Sequence, residues 1–117
     1  TVERVRAFCV KWPQAGLRLV EDKANGPAVV ATLKREIGGF VPVTPKGGKI
    51  ARLAAVSPDI EGGNVYIPDP ALNPWVEDYL FECSRFPFGA HDDQVDSTSQ
   101  ALQRLTKAQK VATSAQG

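Results

Sequence analysis

The sequence predicts an α/β fold, a mixed sheet with flanking helices, from three neighbouring segments. Residues 17–21 alternate apolar and charged side chains and end on an acid, which is typical of a short strand. Residues 27–37 start with proline and carry apolar side chains at helical spacing, and residues 40–43 read as a second strand. This β-α-β order predicts a crossover unit, in which polar chemistry collects at the strand ends.

Further elements are predicted on both sides of this unit. They are an amphipathic helix over residues 2–12, a helix that starts near Lys49, a short strand over residues 64–68, a helix over residues 73–86 and a helix that starts near His91. The last helix is expected to bury a stripe made of Val95, Thr98, Leu102 and Leu105. One domain is expected over residues 1–106, and residues 107–117 lose apolar periodicity and are expected to form a disordered polar tail.

Composition excludes several classes of protein. The formal net charge is +1, so any binding of nucleic acid must come from a local basic patch. Cys9 and Cys83 are far apart, which argues against a zinc site or a disulfide framework and favours buried free thiols in an intracellular protein. No apolar run is long enough to span a bilayer, so a soluble protein is expected.

The segment HDDQVD is the first candidate for chemistry. Asp93 and Asp96 are three residues apart at a helix start, and Asp92 is beside them. Carboxylates held together repel each other, and a divalent cation relieves that repulsion. The alternative is that these acids only cap the helix, where each contributes roughly 0.3 to 1 kcal/mol. His91 is the only histidine and is expected to have a supporting role.

Two further groups could take part in the same chemistry. Glu21 and Asp22 end the first predicted strand, where open α/β sheets build their sites, although solvated turn acids would look the same. Lys46, Lys49 and Arg52 accompany two glycines and could contact a nucleic-acid backbone, although a solvated helix start is an equal alternative. The complete phosphate-binding loop of an ATPase is absent from the sequence.

Five segments, taken in order, resemble the large terminase subunit of tailed bacteriophages or prophages. They are VEDKANGPAVVATLKREIGG, VPVTPKGGKIARLAAVSP, EGGNVYIP, the pair PW and FPFGAHDDQVDSTSQAL. The resemblance extends from about the first helix to Leu105 and is to the C-terminal RNase H-like nuclease domain of that family. It implies an RNase H-like mixed sheet whose N-terminal strand or strands are missing here.

The resemblance also implies a site and a cofactor. Glu21 matches the family's second catalytic acid, and the third lies in HDDQVD, with Asp93 ahead of Asp96. These acids would bind two divalent ions, Mg2+ or Mn2+, while Asp22, His91 and Asp92 would support them. The family's first catalytic Asp lies on an earlier strand, so this piece alone is expected to be weakly active or inactive.

The function implied for the parent protein is cutting of concatemeric double-stranded DNA during genome packaging in the host bacterial cytoplasm. The implied partners are double-stranded DNA, the portal protein and the small terminase subunit. Two alternatives stay open. One is a non-catalytic module that docks DNA or the portal, and the other is a different RNase H-like DNA-processing nuclease, such as a resolvase or transposase.

Overall fold

A computed structural model of the chain describes residues 2–116, and it describes side chains for residues 2–107. In order, the elements are α1 Val2–Lys11, β1 Arg18–Glu21, α2 Gly26–Leu33, β2 Phe40–Val43, α3 Lys49–Glu61, α4 Trp75–Arg85 and α5 Asp93–Gln116. They form two compact units, the first ending at Pro45 and the second starting at Lys46.

The first unit confirms the predicted β-α-β segment. Strands β1 and β2 pair in parallel, with Arg18 opposite Phe40 and Glu21 opposite Val43. Helix α2 connects them and buries Leu33 completely, because its apolar face packs against the strands and α1. The described part of the chain is therefore α/β, but its sheet is a parallel pair, and the mixed sheet expected from the resemblance does not appear in residues 2–116.

Two glycines allow the chain to turn tightly in this unit. A Cβ atom on Gly26 would overlap the carbonyl oxygen of Glu21, because α2 starts directly against the end of β1. Gly39 has a positive φ of 81° and lies against the carbonyl oxygen of Gly16, just before β2. The approach at Gly26 fixes the end of β1, where Glu21 lies, and the approach at Gly39 fixes the segment that leads into β1.

The second unit is helical in the described residues. Helix α5 packs against both α3 and α4, and the side chains buried there include Val56, Val76 and Val95. Ser99 is also fully buried, and its hydroxyl donates to the carbonyl oxygen of Val95 at 3.1 Å, so its polar atom is satisfied inside the core.

Several sequence predictions need correction. Residues 64–68 form no strand, because no neighbouring strand pairs with them, and Tyr66 is 90% exposed. The buried stripe of α5 includes Val95 and the small residue Ser99, which faces the neighbouring helices. Leu105, which was expected in this stripe, is exposed. Cys83, expected to be buried, is exposed.

The structure leaves the predicted C-terminal tail untested. The backbone of α5 is described as far as Gln116, while the side chains after Lys107 are outside the described residues, so the disordered tail over 107–117 stays a prediction. No helix in the described part of the chain is both long and apolar enough to cross a membrane.

Candidate functional site

The acidic motif lies where the sequence predicts it, at the start of α5. Asp92 precedes the helix, and its carbonyl oxygen accepts the amide of Asp96 at 3.0 Å, which closes the first turn. Asp93 and Asp96 both lie in that turn. Their carboxylates are near the positive end of the helix dipole, where acidic side chains stabilise a helix.

Asp96 points into the protein and is paired with Arg52 of α3. Arg52 Nε donates to Oδ1 of Asp96 at 2.8 Å, and a terminal nitrogen donates to Oδ2 at 2.9 Å. Asp96 is 4% exposed and Arg52 is 7% exposed. The Arg52 hydrogen bonds lower the pKa of Asp96 below the usual value for an aspartate. Both oxygens of Asp96 are therefore held by a buried cation.

The same guanidinium also holds the turn that leads into α3. Its other terminal nitrogen donates to the carbonyl oxygen of Gly47 at 2.5 Å and lies 3.5 Å from that of Lys46. Gly47 has a positive φ of 70°, a conformation that glycine adopts without strain. The turn thus presents carbonyl oxygens inward to Arg52, while the side chain of Lys46 is exposed.

Lys49 and Asp93 lie at the solvent side of this arrangement. Lys49 Nζ is 2.7 Å from Oδ1 of Asp92 and 3.6 Å from Oδ1 of Asp93. The hydrogen bond to Asp92 raises the pKa of Lys49. The side chain of Asp93 is 95% exposed, so it is the acid of this motif most accessible to a ligand. His91 is exposed as well.

The strand-end acids lie in the first unit. Glu21 ends β1, is partly exposed, and has an oxygen 3.7 Å from Lys23 Nζ. It also lines an open cavity of about 270 Å³, together with Asp22, Lys34 and apolar residues of β1, α2 and β2. Asp22 is exposed beside it, and its amide donates to Val43, which continues the strand pairing.

The described acids do not by themselves fit a metal centre. Within the described residues, no group of three or more His, Cys, Asp or Glu side chains is arranged to hold a metal ion. The reason in the second unit is local, because Arg52 engages Asp96 and Lys49 engages Asp92. A cation of the protein itself thus lies where the sequence predicts acids grouped around a metal.

Glu82 of α4 is a contributor that the sequence prediction missed. Its carboxylate accepts the amide of Val95 at 2.7 Å and the side-chain amide of Gln94 at 3.2 Å, so it caps the first turn of α5. Glu82 is buried, as is Val76 of the same helix. The sequence alone gives no signal for this contact, because it depends on how α4 packs against α5.

Comparison with known proteins agrees with the resemblance noted in the sequence. The family described as Terminase RNaseH-like domain matches residues 11–105. That range contains Glu21, the basic turn and the whole acidic motif. Searches of curated proteins and of solved structures gave no match. Because the family matches most of the chain, the protein belongs to the terminase RNaseH-like domain family and is a terminase nuclease module.

Proposed function

We propose that this chain is part of the endonuclease module of a phage or prophage terminase large subunit, and that the parent protein cuts concatemeric double-stranded DNA during genome packaging. The observation that carries the proposal is the family match over residues 11–105. It is supported by an exposed aspartate, Asp93, at the start of α5 within the matched range. Packaging would take place in the host bacterial cytoplasm, with the portal protein and the small terminase subunit as partners.

Asp93 and Glu21 are the leading residues of the proposed site. Asp93 is the most exposed acid of its motif, and Glu21 is partly exposed at the end of β1. Asp96, which the family resemblance also suggests as a ligand, is paired with Arg52 and would have to exchange it for a metal ion. Asp22, His91 and Asp92 would support the site through charge and hydrogen bonding.

Mg2+ or Mn2+ is the proposed cofactor of the parent protein, since RNase H-like nuclease domains in general use divalent metals. The pairings of Asp96 with Arg52 and of Asp92 with Lys49 leave no complete ligand group in the described residues. No catalytic step is therefore assigned to a bound ion. The chain's own contribution is to hold the Asp93 side chain exposed at the start of α5.

Lys46 and Lys49 are the proposed contacts to the DNA backbone. Lys46 is exposed in the turn before α3, and Lys49 is half-exposed at its first residue. Ammonium groups in such positions bind phosphates without reading sequence, so little sequence preference is expected. Arg52, predicted from the sequence as a third contact, is buried against Asp96.

The test is cleavage of supercoiled plasmid by the terminase subunit that carries this chain, in MgCl2 or MnCl2. Asp93→Asn and Glu21→Gln should each reduce the cleavage rate at least about a hundredfold, because each would remove a carboxylate from the site. Asp78→Asn is the matched control, an exposed acid in the first turn of α4, and should cleave like the wild type. Undiminished cleavage by Asp93→Asn would contradict the proposal.

The second candidate is a non-catalytic module that docks DNA or the portal protein. The ion pairs of Asp92 and Asp96 favour this docking module, because acids that pair with cations of the protein stabilise the fold and do not bind a metal ion. In that case the same plasmid assay would show that neither Asp93→Asn nor Glu21→Gln alters cleavage. The family match disfavours a resolvase or transposase.

A further inference from the structure

Arg52 joins two segments that are distant in the sequence. Its guanidinium donates to both carboxylate oxygens of Asp96 in the first turn of α5. It also donates to the carbonyl oxygen of Gly47, in the turn before α3. One side chain therefore links the backbone of the basic turn to the carboxylate of Asp96 in the first turn of α5.

The burial of this pair makes it a poor contact for any ligand. Both residues are less than a tenth exposed, and the side chains pair through two parallel hydrogen bonds. Taking either partner away would leave the other charge buried without compensation, which is strongly unfavourable. A DNA phosphate or a metal ion would have to break the pair before it could bind either residue.

We propose that Arg52 and Asp96 are a positioning pair, which holds the Lys46–Gly48 turn against the first turn of α5, and that neither touches DNA or metal. The inference rests on the proposed function, because it assigns these two residues a supporting role in the same nuclease site. It replaces the sequence-based roles of Arg52 as a phosphate contact and of Asp96 as a metal ligand.

The residues that the pair would position lie beside it on both segments. Lys46 and Lys49 flank the glycine turn that Arg52 holds, and Asp92 and Asp93 lie in the α5 turn that Asp96 anchors. Lys49 Nζ already lies 2.7 Å from Asp92 across the same gap. With the pair in place, the proposed phosphate contacts and the exposed Asp93 keep a fixed spacing. Without it, the turn would lose the side-chain link to α5 that Arg52 makes through the carbonyl oxygen of Gly47.

The first experiment measures the positioning directly, by NMR on the isotope-labelled 117-residue chain. Asp96→Asn should shift the amide signals of Gly47 and Gly48, although Asp96 lies far from them in sequence. It should also increase the backbone motion of both glycines on the picosecond-to-nanosecond timescale. Arg52→Gln should do the same, and the double variant should resemble either single one, because the two residues act as a unit. Arg52→Lys, which keeps the charge but not the paired hydrogen bonds, should give an intermediate result. Asp78→Asn is the control and should leave both glycines unchanged.

The second experiment asks whether Arg52 touches phosphate, using DNA affinity over a series of NaCl concentrations. Lys46→Gln should reduce the slope of log affinity against log salt by about 0.9, as expected for one lost phosphate contact. Arg52→Lys and Arg52→Gln should weaken binding but leave the slope at its wild-type value, because neither substitution removes a phosphate contact.

Three results would overturn the positioning role. They are glycine amides that do not respond to Asp96→Asn, a double variant with the summed effect of both single ones, and an Arg52→Gln slope that falls like that of Lys46→Gln. If the wild-type chain does not bind DNA at all, the proposed phosphate contacts fail. The glycine amides still decide whether the pair positions the turn, so the two failures are distinguishable.

Discussion

Asp93 and Asp96 belong to the same helical turn but have opposite environments. Asp93 is almost fully exposed, whereas Asp96 is buried against Arg52. The three-residue spacing predicts that both acids lie on the same side of α5, but it does not predict which neighbour approaches that side. Helix α3 supplies the neighbour, because its buried Arg52 donates hydrogen bonds to both carboxylate oxygens of Asp96. The motif was therefore predictable, and the division of roles within it was not.

The first prediction compares the stability effects of these two acids. Asp96→Asn should reduce the free energy of unfolding of the second unit by about 3 to 5 kcal/mol, because it leaves the Arg52 charge buried and unpaired. Asp93→Asn should change it little, since that side chain is exposed. Urea unfolding followed by Trp75 fluorescence, in a Trp12→Phe background, reports on the second unit alone. Equal effects of the two substitutions would contradict the assignment.

The second prediction concerns the stability of the protein at low pH. Because Arg52 lowers the pKa of Asp96 below its ordinary value of 3.8, the ion pair contributes stability above that pH. The contribution should be lost as the pH falls from 3.8 through the lower pKa of the folded protein. Urea midpoints measured from neutral pH to below that range should fall more steeply for wild type than for Asp96→Asn, which cannot titrate. Parallel curves would show that the pair does not stabilise the fold.

At the scale of elements, helix starts and strands were predictable where local signals are strong. Pro27 and the flanking glycines mark α2 and β2, and Pro74 marks the start of α4, and all three lie close to the predicted positions. Residues 64–68 were misread because a strand depends on a partner that the local sequence does not reveal. The buried face of α5 was misread for a related reason, since Ser99 is buried by close helix packing and not by its own hydrophobicity.

The third prediction tests how α4 fixes the start of α5. Glu82→Ala leaves the amide of Val95 without its acceptor in a buried site, which should cost about 1 to 3 kcal/mol and speed hydrogen exchange at that amide. Glu82→Gln keeps an acceptor oxygen for the amide and should behave more like the wild type. Thermal unfolding and amide exchange measure both effects. A Glu82→Gln variant as unstable as Glu82→Ala would show that the charge, and not the hydrogen bond, is what α5 requires.

At the scale of the whole molecule, the family was evident from five ordered segments, and the match over residues 11–105 confirms it. Glu21 lies in the first unit and Asp93 lies in the second. Each unit presents its acid at the end of an element, β1 in one and the start of α5 in the other. A common site for these two acids stays a prediction, since sequence order alone does not fix a distance between them.

The measurement that tests this central claim most directly is a titration of MnCl2 and MgCl2 into the isotope-labelled terminase subunit that carries this chain, followed by NMR at the amides of Glu21 and Asp93. The account predicts saturable Mg2+ shifts at both amides with a single dissociation constant, and strong paramagnetic broadening of both by Mn2+, with Asp93→Asn abolishing the effect at Glu21. Saturable binding at Asp93 that leaves Glu21 unchanged, or no response at either amide in the folded chain, would contradict a shared metal site.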